Sequence, residues 1–269
     1  MPILNTLYEL YESEGFTVSS GLNPDHNDGH PYAPFTWLLK DGKSFSNGLG
    51  IALQEIYFLE NLFDAYRPKS VLIIGNSFGW STLAVGLLNS ETPIVALDAC
   101  FDENADVGLD LTNRLAKQAG TKVVTVEGVS PNDLPMVIGD YLDGQVDFCF
   151  IDGLHTNEQV YKDYAGVRPY MPKDGVYLFH DVLSCGLGPG MDRIAEDCGR
   201  MPEVLYGTPS GMAILCLGDD GPVRRTIETF KGAPEAMTLM RDLQRKGKYR
   251  HLNRWRRSIA KRLDRIRGG

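Results

Sequence analysis

No stretch of this sequence approaches the ~18 consecutive apolar residues of a membrane-spanning helix, so none is expected. The first residues, MPILNTLYELYESEGF, lack a positive segment, and a secretory signal peptide is not expected either. Cysteine is sparse. Cys100, Cys149, Cys185, Cys198 and Cys216 stand apart with no CxxC pair. That dispersal argues against a disulfide framework and suits a reducing, cytoplasmic compartment. The G-x-G-x-x-G of a dinucleotide-binding turn and the G-K-[ST] ending of a P-loop are missing too. There is no internal repeat and no low-complexity tract.

What is present is unevenly charged. The net charge is −8 over 269 residues. Residues 241–269 hold 12 Lys/Arg and 2 Asp/Glu, and the other 240 residues hold 15 and 33. An acidic body is a poor groove for nucleic acid, which is not an expected partner. In the tail, Leu252, Trp255, Ile259, Leu263 and Ile266 recur at three- and four-residue spacing among arginines and lysines. This predicts a basic amphipathic helix. It could lie on an anionic membrane surface, pack on the acidic body, or meet a second copy of the chain.

From residue 71 onward, short apolar runs alternate with longer amphipathic ones. VLII (71–74), IVAL (94–97), KVVTV (122–126), VDFCFI (146–151) and GVYLF (175–179) predict strands buried on both faces of a parallel sheet. Thr82–Asn89, Asp106–Ala119, Asn132–Leu142 and Asn157–Arg168 predict the intervening helices. Thr156 with Gln159 suggests a capping box for the last. EVLYGTPSGMAILCLG (203–218) carries a hairpin signal. The expected fold is therefore α/β, doubly wound and Rossmann-like, ending in an antiparallel hairpin. Its expected divisions are an N-terminal extension or lid over 1–50, a cofactor-binding domain over 51–218, and a helical C-terminal extension over 219–269.

VLIIGNSFGWST (71–82) reads as a strand, a glycine-bearing turn and a helix start. Gly75 would let the chain turn sharply, and Gly79 would let a ligand approach the backbone. About 20 residues on, IVALD ends in Asp98, placed to accept hydrogen bonds from a ribose diol. Val146–Val182 then sets Asp152, His155, His180 and Asp181 at two strand ends, where open α/β sheets bind ligands. The segment Gly186, Gly188, Pro189, Gly190 reads as a flexible loop beyond them.

The order Gly75…Gly79, Asp98, Glu127-Gly128, Asp152, His180-Asp181 and a hairpin resembles the class I S-adenosylmethionine-dependent methyltransferases. FIDGLHTNEQVYKDYAGVRPYMPKDGVYLFHDV is similar to their subgroup of small-molecule and sugar O-methyltransferases with IDG-x-H…HD motifs. The resemblance spans roughly residues 50–217. It implies a seven-stranded sheet whose last strand runs antiparallel beside the fifth. It implies that Gly75, Asn76, Ser77 and Gly79 face the methionine part of the cofactor, that Asp98 holds the ribose, and that Gly128 borders the adenine. Asp152 would contact cofactor or substrate, and Gln54 and Glu55 could line the pocket. Ile73 stands where the family usually has an acidic residue.

The resemblance also implies methyl transfer to a small hydroxylated acceptor, such as a sugar or a natural-product or glycan precursor. His155 is the first choice of general base, with Asp152 and Asp181 beside it; alternatively His155 only caps a helix. Asp152, His180 and Asp181 form a second constellation, able to hold a divalent cation. A histidine among the ligands suits Mn²⁺ better than Mg²⁺. Two other functions remain open at this level, a nucleotide-dependent oxidoreductase and a catalytically degenerate cofactor-binding scaffold.

Overall fold

The computed structural model describes residues 2–101 and 105–247. The chain divides into two compact units, Met1–Lys231 and Gly232–Gly269. Among the described residues, no helix is long and apolar enough to cross a membrane. In the second unit, residues 234–247 are helical. The amphipathic stripe expected from Leu252 to Ile266 lies outside the described residues.

The first unit opens with α1 (Leu4–Ser13), followed by β1 (Thr17–Ser19), β2 (Trp37–Lys40) and β3 (Lys43–Ser44), which form a small antiparallel sheet. The main body runs α2 (Leu53–Ala65), β4 (Val71–Ile74), α3 (Trp80–Leu88), β5 (Ile94–Asp98), α4 (Ala105–Ala119), β6 (Val123–Glu127), α5 (Leu134–Leu142) and β7 (Phe148–Ile151). It continues with α6 (Asn157–Val167), β8 (Val176–Phe179), α7 (Gly188–Cys198), β9 (Glu203–Val204), β10 (Ala213–Cys216) and α8 (Gly221–Lys231).

The main sheet has seven strands in the order β6-β5-β4-β7-β8-β10-β9. The five strands from β6 to β8 are parallel, and β10 enters antiparallel beside β8. This is the doubly wound sheet with a terminal hairpin that the sequence predicts. The order reverses between β4 and β7, and that switch point opens a crevice at the strand carboxyl ends.

Side chains alternate faces along each strand, so the continuous apolar runs feed two cores. Ile73, Ala96, Phe150 and Leu178 face one layer, with α1, α2, α3, α4 and α8. Leu72, Val95, Cys149 and Tyr177 face the other, with α5, α6 and α7. Phe148 meets Phe63 edge to face at 5.0 Å, tying α2 to the middle of the sheet. Each such fully buried side chain contributes roughly 1.5–3 kcal/mol.

Three local expectations change. β7 starts at Phe148, because the Val146 and Asp147 amides bond to Tyr170 O and Ser70 O, off the ladder. Gly188, Pro189 and Gly190 are the first turn of α7, not a loop. The Gly190 amide donates to Asn157 Oδ1 at 2.8 Å, and a Cβ there would press on Val160, so this turn is packed against α6. Thr156 does cap α6, accepting from the Gln159 amide at 3.1 Å. The reciprocal half of the box is missing, since the Gln159 side chain donates instead to Ser130 O and Asp163 Oδ1.

Candidate active site

A cleft of about 510 Å³ lies along the carboxyl ends of β4, β5, β6, β7 and β8, within the usual range for small-molecule sites. Gly75, Asn76, Ser77, Asp98 and Gly128 line one half; Asp152, His155, His180 and Asp181 line the other.

The first half is built on backbone. Gly75 has φ +96°, and a Cβ there would collide with the Asp152 carbonyl, so glycine is required for β4 and β7 to end side by side. Asp98 ends β5 and gathers the turn. Its Oδ2 accepts from the Asn76 and Ser77 amides at 2.7 and 2.8 Å, and its Oδ1 from the Cys100 amide at 2.8 Å. Oδ1 keeps capacity for a ligand hydroxyl. Gly79 does not line the cleft. It holds φ +78° at the start of α3, and a Cβ would collide with Thr112 on α4, so its smallness serves packing and not ligand approach. Gln54 is exposed outside the cleft.

Two buried atoms in this half have no hydrogen-bond partner among the described residues, Asn76 Oδ1 and Trp80 Nε1. Trp80 packs on Tyr8 and Tyr11 yet also lines the cleft. Ile73 is fully buried in the core and offers the cleft nothing polar. Deeper in, buried Asp163 accepts from Ser130 Oγ and Gln159 Nε2 at 2.6 and 2.7 Å, and burial raises its pKa. Sequence reasoning missed it. Asp163 lies within the Val160–Val167 stripe of α6, and an acid inside an apolar stripe is the signal that could have exposed it.

The second half is built on side chains. Asp152 Oδ1 lies 3.4 Å from His155 Nε2 and 3.0 Å from His180 Nδ1. Asp181 Oδ2 lies 3.4 Å from His155 Nδ1 and 3.3 Å from His180 Nδ1. Asp181 holds φ +53°, and Ser184 Oγ donates to its Oδ1 at 2.7 Å. Behind the cluster, His180 Nε2 meets Glu55 Oε2 at 3.2 Å. The His155 side chain is 30% exposed and that of His180 only 5%, so His155 is the imidazole an acceptor can reach.

Burial disfavours charge here, but the neighbours outweigh it. The Asp152 and Glu55 carboxylates hold His180 well above the ordinary histidine pKa, and Asp152 also raises His155. The imidazoles lower Asp152 and bring Asp181 down to about 2, again against burial.

The four groups fit a divalent cation. One donor atom from each lies within 4.8 Å of the others. His180 Nδ1 and His155 Nε2 are buried without a well-aligned hydrogen bond despite their close carboxylate neighbours. In the cation-free protein the ring protons hold these carboxylates together, and a bound cation would take the place of those protons. The mixed nitrogen and oxygen set suits Mn²⁺ better than Mg²⁺.

The N-terminal segment closes this half. Thr36 bridges to Gly50, and Tyr11 OH donates to Phe78 O at 2.6 Å, pinning the segment beside the glycine turn. Tyr32, Phe35, Leu38 and Leu49 of this segment then line the cleft. Phe35 sits edge to face on His180 at 6.4 Å.

Residues 72–182 match the family model described as a methyltransferase domain. That segment of the chain is similar to a methyltransferase domain. The chain has solved structural relatives at low identity. One is the apo form of a TDP-rhamnose 3′-O-methyltransferase of calicheamicin biosynthesis (18% identity, TM-score 0.51, covering 62% of this chain and 80% of that chain). Another is an O-methyltransferase from Bacillus cereus in complex with SAH (16%, 0.51, 64% and 84%). A third is the tomaymycin-synthesis O-methyltransferase from Streptomyces achromogenes in complex with SAM (16%, 0.50, 64% and 83%). These likenesses show the fold. No curated protein matches the chain in sequence. The family match and the antiparallel hairpin at the end of the sheet argue against the oxidoreductase alternative.

Proposed function

We propose that this methyltransferase moves the methyl group of S-adenosylmethionine to a hydroxyl oxygen of a small acceptor with an apolar face. The observation that carries the reading is one cleft with two unlike halves, a backbone-built cofactor pocket and a cluster of two carboxylates and two imidazoles. The same cluster favours catalysis over a degenerate binding scaffold.

In the cofactor half, Gly75, Asn76 and Ser77 border the methionine part, Asp98 Oδ1 takes a ribose hydroxyl, and Gly128 borders the adenine. Gly79 supports this half by packing on Thr112. With Ile73 in the core, Asn76 Oδ1 is the buried acceptor available to the cofactor's ammonium, and Trp80 Nε1 is a donor available to its carboxylate. In the acceptor half, His155 takes the hydroxyl proton as the oxygen forms its bond to the methyl carbon and the carbon–sulfur bond breaks. The sulfonium loses its charge in the same step, so excluding water and aligning the groups supply much of the rate. Asp152, His180 and Asp181 would hold a divalent cation, which when bound makes the acceptor hydroxyl more acidic.

Residues 1–50 act as the wall or lid of the acceptor side, supported by Tyr32, Phe35, Leu38 and Leu49 in the cleft lining. That wall favours a hydroxyl borne on a partly apolar skeleton, such as a sugar carrying an apolar group, over a free polar sugar. The dispersed cysteines support a cytoplasmic location. The basic 241–269 segment leaves membrane contact and self-association as further expectations.

Calorimetry should show one molecule of S-adenosylmethionine bound per chain. With the cofactor, aryl or alkyl glycosides should be methylated on oxygen at lower KM than the free sugars. Absence of cofactor binding would defeat the function, and equal KM values would defeat the apolar-face assignment.

A further inference from the structure

Glu55 lies outside the matched domain, and its side chain is fully buried. A buried carboxylate is costly unless each oxygen is satisfied. Oε2 accepts from the Ala52 amide at 2.8 Å and also faces His180 Nε2 at 3.2 Å. Oε1 accepts from the Ser210 amide at 3.0 Å and from Ser210 Oγ. Backbone amides only donate, so both oxygens act as acceptors, and the remaining contact is satisfied when His180 Nε2 carries its proton toward Glu55.

Ser210 is fully buried as well, and it works in two directions. Its amide and hydroxyl hold Glu55. Its carbonyl accepts from the Leu183 and Ser184 amides at 3.1 and 3.2 Å and from Ser184 Oγ at 3.0 Å. Ser184 Oγ in turn reaches Asp181. One residue of the β9–β10 connection thus braces the support behind His180 and the turn that carries Asp181.

We propose that Glu55, clamped by Ser210, is a positioning residue that holds His180 with Nε2–H donated backward and Nδ1 turned into the cluster. A histidine ligand fixed through its other nitrogen presents a defined lone pair, and outer partners of this kind tune cation affinity. The consequence for cation binding rests on the cation reading proposed above. The orientation of His180 does not.

The test uses the full chain. In the cation-free protein, the His180 Nε2–H should give a slowly exchanging, hydrogen-bonded imidazole resonance in proton–nitrogen NMR. In Glu55→Gln, one amide NH₂ must face groups that themselves donate, so this resonance should be lost or should exchange much faster. Ser210→Ala keeps the carboxylate and should shift the same resonance by less; it decides the matter if Glu55→Gln does not fold. With Mn²⁺ alone as probe, Glu55→Gln should weaken binding about 10- to 100-fold, with S-adenosylmethionine affinity unchanged. A His180 resonance identical in wild type and both variants overturns the proposal. Failure of the wild type to bind Mn²⁺ overturns the cation reading instead, since the resonance needs no cation.

Discussion

The two halves of the cleft are made of different material. In the half proposed for the cofactor, Asp98 holds three backbone amides, and Gly75 has its form dictated by the strand beside it. In the half proposed for the acceptor, the groups that matter are side chains, and His180 is held by a side chain from a distant segment. A backbone-built pocket suits a constant ligand, whereas a side-chain pocket on a variable segment can be refitted to different acceptors. On the proposed function, the division between cofactor and acceptor is therefore also a division between main chain and side chain.

His155→Ala should break the acceptor half alone. With the proposed general base removed, kcat should fall by about 10²- to 10⁴-fold, and calorimetric affinity for S-adenosylmethionine should stay within about twofold. A matching loss of cofactor affinity would mean that the halves are not separable. Asp98→Ala should do the reverse. Hydrogen bonds to a charged acceptor contribute about 1.5–3 kcal/mol each, so losing this carboxylate should weaken cofactor binding by on the order of 100-fold. Near-normal kcat at saturating cofactor would confirm the separation.

Acid should sharpen the contrast in stability. Asp181 is held at about 2, below its ordinary 3.8. Its contribution is complete above the ordinary value and is lost as pH falls through the folded value. In urea unfolding of the cation-free protein, wild type should exceed Asp181→Asn by at most about 2 kcal/mol. That gap should close between pH about 4 and about 2, and a gap that persists at pH about 2 would contradict the assignment. The smallest effect belongs to the wall. Leu49 is half exposed at the mouth, and Leu49→Ser should cost about 1 kcal/mol of apolar contact. The acceptor KM should rise about fivefold with cofactor affinity unmoved.

Much of this molecule is legible in its sequence, for local reasons. Apolar runs such as VLII and FCFI need burial on both faces, which forces a parallel sheet covered on both sides. Thr156 ahead of Asn157 starts a helix because its hydroxyl meets a free amide. Asp152, His155, His180 and Asp181 fall at adjacent strand ends because β7 and β8 are parallel and in register, Ile151 beside Phe179. Strand periodicity and parallel connection put them together.

The tertiary structure decided the rest. Glu55 reaches His180 across 125 residues and Ser210 across 155, and no local pattern marks either contact. Gly79 resembled a ligand-facing glycine until α4 brought Thr112 against it. Phe35 sits among loop residues whose composition does not show that it packs on His180. Sequence determined which residues stand at the ends of the strands, because pattern and pairing act over a few residues. Only the packed chain decided which of them are held, and by what, because a buried carboxylate takes its partners from wherever the fold delivers them.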